Sequence, residues 1–331
     1  MERVSSPSDL TVRAWWHALR DAVKQFMDKG LMQRAAALAY FAILSIFPGL
    51  IVLVALLGVL GHEGTIDGAL RIVDQLGADQ AVDALRGPIE SAVESSRAAG
   101  FALVLGSALA LWTASGYMGS FMLAMNDVYE TDEARPFWKR RPLQLLITLA
   151  VVVTIAIAML ALVLTGPVAE AIGDEIGVGE AALTAWSIGK WPILFALVAA
   201  TIALLYRVAP NTGRKRRFRW ILPGSVLATL LWLAGSAGFS FYVSNLGSYS
   251  NTYGGLAGIV VFLIWLWISN MMVLFGAAFS AELERTAAAV RRVAHDELRP
   301  LDDASGASEP GSGVVPTETQ PAADRGSESD R

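Results

Sequence analysis

Apolar residues gather in six long runs, at roughly residues 35 to 60, 100 to 125, 143 to 166, 183 to 206, 218 to 243 and 254 to 280. Each is near the ~20 residues that an α-helix needs to cross ~30 Å of hydrocarbon. A barrel strand would alternate apolar and polar positions over ~10 residues, and none of these runs alternates. Backbone groups in lipid must also satisfy one another, so a continuous apolar run predicts a helix. The expected fold class is an all-α integral membrane protein: a six-transmembrane-helix bundle with an N-terminal interfacial helix and a disordered C-terminal tail. Composition agrees, with 54% hydrophobic and 17% charged residues in a chain of 331, against roughly 25% charged in soluble domains.

Lys and Arg orient the bundle, because positive charge is retained on the cytoplasmic side. The arm before the first run carries Arg3, Arg13, Arg20, Lys24, Lys29 and Arg34. The second connection carries Arg135, Lys139, Arg140 and Arg141, and the fourth Arg207, Arg214, Lys215, Arg216, Arg217 and Arg219. With the C-terminal segment these hold most of the 26 basic residues, whereas the third and fifth connections hold none. Both termini are therefore expected in the cytoplasm, as an even number of spans requires. The opening MERVSSPSDL lacks the apolar core of a cleavable signal, so the first span is expected to begin insertion.

The domain organisation follows. Residues 1–34 form a cytoplasmic arm in which Trp15, Trp16, Leu19, Val23, Phe26 and Met27 fall near one another at helical spacing. That pattern suits a helix lying in the membrane interface or one packed against the cytoplasmic ends of the bundle. Residues 35–281 form the transmembrane domain, with an acidic exterior connection at 62–99 whose spacing predicts two short amphipathic helices. Residues 282–299 end the last helix. The tail, 300–331, is rich in Gly, Pro and Ser and poor in large apolar residues, and is expected to be disordered.

Several chemistries are improbable on residue type alone. The chain has no Cys and only His17, His62 and His295, which removes thiolate chemistry and makes a His-rich metal site improbable. No Gly-x-x-x-x-Gly-Lys phosphate loop occurs. No catalytic residue, metal or cofactor is expected, and the chain is not expected to be an enzyme. Asp127, Glu130, Asp132 and Glu133 cluster beside Arg135 after the second run, where a solvated, ion-paired loop accounts for them better than a hydrolytic centre does.

Polar groups at membrane depth mark candidate sites, because they are costly there. Lys190 lies within the fourth run, either facing an anionic head group or snorkelling to the interface beside Trp186 and Trp191. Pro48, in Ser45-Ile46-Phe47-Pro48-Gly49, lacks an N–H and frees carbonyls near Leu44 and Ser45, either for a ligand or as a structural kink. Tyr40, Ser45, Pro48, Asn126, Tyr129, Lys190, Tyr253 and Asn270 are the candidate substrate pathway. Arg207, Arg214, Lys215, Arg216, Arg217 and Arg219 are candidate contacts for anionic lipid, or simply the topogenic signal. Gly116 with Ser120, Gly235 with Ser236 and Gly238, and Gly254 with Gly258 are expected to let helices approach closely.

RAAALAYFAILSIFPGLIVLVALLG (Arg34 to Gly58) resembles the opening span of the YihY or virulence factor BrkB family of bacterial inner-membrane proteins, some of which were once labelled ribonuclease BN. LWTASGYMGSFMLAMNDVY (Leu111 to Tyr129) resembles its second span with an Asn-x-x-Tyr exit, LLYRVAPN (Leu204 to Asn211) its fourth-span exit, PGSVLATLLW (Pro223 to Trp232) its fifth span and YGGLAGIVVFLIW (Tyr253 to Trp265) the start of its sixth. The resemblance implies six helices in the bacterial cytoplasmic membrane and supplies no substrate. Where the family usually has Glu near the end of the last span, this chain has Ala278, with Glu282 about one turn further on.

A nearly uncharged interior, one kinked helix, one Lys toward the outside and a basic inner rim suit a lipid-like or anionic amphiphile better than a metal cation or a proton relay. The expected function is a transporter or translocator of such a substrate; the alternative is a non-transporting membrane scaffold of an envelope complex, and ribonuclease activity is not expected. Membrane lipids are the expected partners and nucleic acid is not. A homo-oligomer or an envelope partner is left open.

Overall fold

The computed structural model describes residues 6–60, 96–163, 180–213, 217–245 and 255–306, with backbone alone at 46–60, 96–103, 107, 110, 159–160, 162–163, 180–182, 255–257 and 293–306. Among the described residues all regular structure is helical. A 3-10 turn at Pro7–Asp9 precedes α1 (Val12–Asp28), α2 (Leu31–Leu60), α3 (Ser96–Tyr129), α4 (Phe137–Val163), α5 (Glu180–Val208), α6 (Phe218–Ser244) and α7 (Gly255–Gly306). Among the described residues, α3 to α7 are each long and apolar enough to cross a membrane. The first expected span falls on α2, whose apolar part is described to Ser45. The chain is thus a multi-pass, all-helical membrane protein by the length and composition of its helices.

Local chemistry sets the first turn of the path. Thr11 caps α1 by accepting the Ala14 N–H at 3.3 Å, and Gly30, at φ +62°, takes the left-handed conformation that ends α1 and lets α2 begin one residue later. Helices adjacent in sequence then pack on one another: α2 on α3, α3 on α4, α4 on α5 and α5 on α6. The last helix ties these together. On α7, the Asn270 side chain bonds to α3, the Val273 carbonyl to α5 and Ser269 to α6, while Trp267 donates to the Met32 carbonyl of α2.

Burial concentrates at one end of the bundle, where α2, α4 and α6 begin and α3 and α5 finish. Leu31, Leu38, Phe121, Met125, Tyr206, Ile221, Leu274 and Leu283 are fully buried there. Across that end lies α1, with Trp15 against Phe279 and Phe26 against Phe275, both at 5.9 Å between ring centroids, and with Ala18 and Ala22 buried. One face of α1 therefore packs on the bundle, while Val12, Trp16, Val23 and Met27 remain exposed.

The backbone-to-backbone approach at Gly224 and Gly276 was not among the expected small-residue pairs. A Cβ on Gly224 of α6 would lie 2.3 Å from the Gly276 carbonyl of α7, and one on Gly276 would lie 2.5 Å from the Gly224 carbonyl. By contrast Gly238 and Gly258, expected at helix contacts, have nothing among the described residues within 4 Å of a built Cβ. Gly235 does meet a neighbour, Met272 of α7. Two boundaries also differ from the sequence reading. Helix α4 starts at Phe137, which places Arg140 and Arg141 inside it, and α7 continues past Pro300 to Gly306. A second compact unit, residues 288–331, contains the end of α7. The connection read as two short exterior helices lies almost wholly outside the described residues, as does the tail from 307.

Candidate functional site

The segment joining α3 to α4 is held by one buried amide. Asn126 donates from Nδ2 to Glu133 Oε2 at 3.0 Å, and its Oδ1 accepts the Asn211 backbone N–H at 2.7 Å. Arg135 binds Glu133 through Nε and Nη2 at 2.7 and 2.9 Å, and that same Nη2 donates to the Ala209 carbonyl at 2.7 Å. The guanidinium therefore sits on the last carbonyls of α5, which the helix itself leaves without partners and where positive charge is favoured. Two segments that carry the family resemblance, the exits of the second and fourth spans, meet at the Asn126–Asn211 bond. Asn126→Ala would strand the Asn211 N–H and take one hydrogen bond from Glu133, so it is expected to lower stability by roughly 1–3 kcal/mol, with Asn126→Asp worse because it faces Glu133. Thermal unfolding of both variants in detergent checks this.

The acidic cluster is engaged by cations. Arg34 pairs with Asp127 at 2.7 Å, Lys29 with Glu130 at 2.9 Å, and Arg285 reaches Glu130 at 3.6 Å while also pairing with Glu282. The hydrogen bond from Lys29, with the charge of Arg285, holds the Glu130 carboxyl below its usual range. Burial works to raise Glu133, but hydrogen bonds from Arg135 and Asn126 outweigh it and the net direction is down. Carboxyls depressed by folding contribute stability that is present above their unfolded value and is lost as pH falls through the folded one. Melting temperature is therefore expected to fall in acid, below the ordinary value of 4.5, and Glu133→Gln is expected to blunt that fall. A pH series of detergent melts reads both.

Farther into the bundle a polar layer follows. Ser115 and Tyr117 lie on different faces of α3, about 21 and 18 Å of helix rise from its end at Tyr129. Tyr117 donates to Asn270 Oδ1 on α7 at 2.8 Å, and Asn270 Nδ2 donates to the Leu266 carbonyl. On the face toward α4, Arg141 Nη1 donates to Ser115 Oγ at 3.1 Å and to Gln144 Oε1 at 3.0 Å, with its guanidinium 4.2 Å from the Trp112 ring centroid. Gly119 leaves room for the Gln144 amide, which a Cβ there would meet at 2.9 Å. Arg141 thus turns inward from the first turns of α4. Its Nε is buried without a hydrogen-bond partner, and among the described residues no carboxylate pairs with it.

The expected pathway residues fall in several places. Asn126 and Tyr129 sit at the buried end, the latter donating to the Ala277 carbonyl at 3.4 Å. Asn270 joins the polar layer. Lys190 is 5% exposed, its Nζ 5.4 Å from the Trp191 ring, about 27 Å of helix rise from the end of α5. Tyr40 is 60% exposed with its ring edge toward Phe41, and Ser45 donates to the Phe41 carbonyl at 2.8 Å. Pro48 lies within the unbroken helical backbone of α2, but its side chain, like Tyr253, Arg214, Lys215 and Arg216, lies outside the described residues. Arg207 is stacked 5.5 Å from Phe218, Arg217 precedes α6, and Arg219 is exposed in its first turn. The sequence reading counted Arg141 as a loop charge and so missed it. A signal was present: Arg141, Gln144 and Thr148 recur at i, i+3 and i+7 along one face of α4.

The virulence factor BrkB family model matches residues 22–299. The chain belongs to the BrkB family. It is 31% identical over 252 residues to the ribonuclease-like protein YfkH of Bacillus subtilis (strain 168), covering 76% of this chain and 90% of that one. It is 27% identical over 283 residues to a UPF0761 membrane protein of Alkalilimnicola ehrlichii, covering 82% of this chain but only 59% of that relative. A UPF0761 membrane protein of Xanthomonas campestris pv. campestris (strain B100) is 26% identical over 295 residues, with 82% and 64% covered. No solved structure matches. In this BrkB-family chain Ala278 is fully buried, and Glu282, one turn on, is occupied by Arg285, whose Nη2 also binds the Val128 carbonyl at 3.2 Å.

Proposed function

We propose that this protein moves a lipid-like or anionic amphiphile across the bacterial cytoplasmic membrane, with both termini and the buried end of the bundle on the cytoplasmic side. The observation that carries this reading is Arg141: a guanidinium drawn into a membrane-spanning bundle and held, among the described residues, by a hydroxyl, an amide oxygen and an indole face. Charge at membrane depth is costly and is retained where it handles charge. Neutral partners leave the guanidinium its full positive charge, and an incoming phosphate or carboxylate completes its hydrogen bonding. Lys190, about 27 Å of helix rise from the end of α5, offers a second cation within the bundle. An anionic head group passing through the bundle meets a cation at each of these residues, while its apolar part stays among apolar side chains.

Lys190→Ala and Pro48→Ala are expected to slow flux of a fluorescent anionic phospholipid in proteoliposomes several-fold, with the detergent melt unchanged. Unchanged flux in both would remove Lys190 and Pro48 from the pathway. Vesicles inert toward anionic amphiphiles, together with a partner co-purifying in stoichiometric amount, would favour a membrane scaffold instead.

A further inference from the structure

Between α1 and α6 lies an apolar cavity of about 630 Å³ that none of the preceding chemistry uses. Its size falls within the ~300–1,000 Å³ of small-molecule sites. Trp15, Trp16 and Leu19 form one wall, and Leu222, Val226 and Leu230 the other. The two walls belong to different environments. Helix α6 is long and apolar enough to cross the membrane, so its flank meets hydrocarbon, whereas α1 is an amphipathic helix laid over the bundle's end. The cavity is open on both counts, because Trp16, Leu222 and Leu230 are exposed.

Charge marks the rim. Arg219 lies one turn before Leu222 and Pro223, on the same face of α6, and is exposed. Arg20, four residues after Trp16, and Arg13 flank the α1 wall and are also exposed. Among the described residues no carboxylate pairs with any of the three. An apolar slot entered from the hydrocarbon, with unpaired guanidiniums at its wet end, fits one kind of molecule. We propose that it holds a resident anionic phospholipid, one acyl chain between α1 and α6 and the phosphate at Arg219 with Arg13 or Arg20. This site is distinct from the Arg141 layer and stands whether or not the protein transports anything. It gives the exposed face of α1 a role, since the lipid would fasten that helix to the bundle.

The test uses the purified full chain in detergent, titrated with dioleoyl phosphatidylglycerol or dioleoyl phosphatidylcholine and read by native mass spectrometry. One saturable phosphatidylglycerol adduct is expected, several-fold preferred over phosphatidylcholine. Arg219→Gln is expected to weaken it roughly five-fold, the effect of one basic residue at an anionic surface. Leu230→Trp, at an exposed position, is expected to fill the slot and abolish the adduct with the melting temperature retained; Val226→Trp is the second variant if the first does not fold. Equal retention of both lipids, or an adduct unchanged in the slot-filling variants, would overturn the proposal. So would a dimer that Leu230→Trp converts to monomer with no change in lipid, which would make the slot an interface between copies. If neither Trp variant folds, an unchanged lipid preference in Arg219→Gln overturns it.

Discussion

Arg141→Gln is expected to reduce flux of an anionic amphiphile by at least about ten-fold, equivalent to ~1.4 kcal/mol in the barrier, while the bundle stays assembled. The two effects separate because the guanidinium gives its positive charge to no carboxylate among the described residues. Gln keeps an amide donor, Ser115 Oγ retains its bond to the Trp112 carbonyl, and the change removes a cation that is costly to hold among membrane-spanning helices. The detergent melt should therefore stay level or rise. Arg141→Lys keeps the charge but loses the planar fork and the stacking on Trp112, and should be intermediate in flux. A variant set in which flux and melting temperature fall together would instead make Arg141 a structural strut between α3 and α4.

The second large effect belongs to the α6–α7 crossing. Gly276→Ala would bring a methyl to 2.5 Å from the Gly224 carbonyl, 2.6 Å from Ala228 Cβ and 2.7 Å from the Tyr206 hydroxyl. Two of these are a backbone atom and a short side chain that cannot swing away. Tyr206 is itself fully buried and donates to the Val273 carbonyl, so the helices must separate and loosen that bond too. Overpacking of this kind costs roughly 1–3 kcal/mol or more. Gly276→Ala and Gly224→Ala should both show a lowered melting temperature and a broadened gel-filtration peak, while Gly238→Ala, in open space, should behave as wild type. Equal tolerance at all three positions would mean that the crossing is not a determinant of the fold.

Helix type was legible, and five of the six expected spans fall on helices of membrane length among the described residues, because membrane helices announce themselves by continuous apolarity of a fixed length. The start of α4 was not, because Lys139, Arg140 and Arg141 resemble loop charge when residues are averaged along the chain. Only the third dimension distinguishes a cation facing water from one reaching Ser115 on the next helix. Asn126 and Tyr129 were recognisable as polar residues at a span exit, but the partner that explains Asn126, the backbone N–H of Asn211, is far away in sequence. The glycine spacing was misleading in one case. Gly254 and Gly258 have the separation of a close-packing motif, yet Gly258 meets nothing among the described residues, while the isolated Gly224 and Gly276 face each other. Close approach is a property of two helices, and spacing on one of them carries half of it.

Movement of an anionic amphiphile through the bundle is the central claim, and reconstituted vesicles test it most directly. Purified protein is placed in liposomes containing a fluorescent phosphatidylglycerol, and the fraction of probe reached by an impermeant quencher is compared with protein-free vesicles and with Arg141→Gln. Quenching that rises from about half toward completion with the wild-type chain, and returns to about half in the variant, is the predicted result. A fraction that stays at about half with the wild-type chain would contradict lipid translocation, and full quenching by wild type and Arg141→Gln alike would contradict the role assigned to the guanidinium.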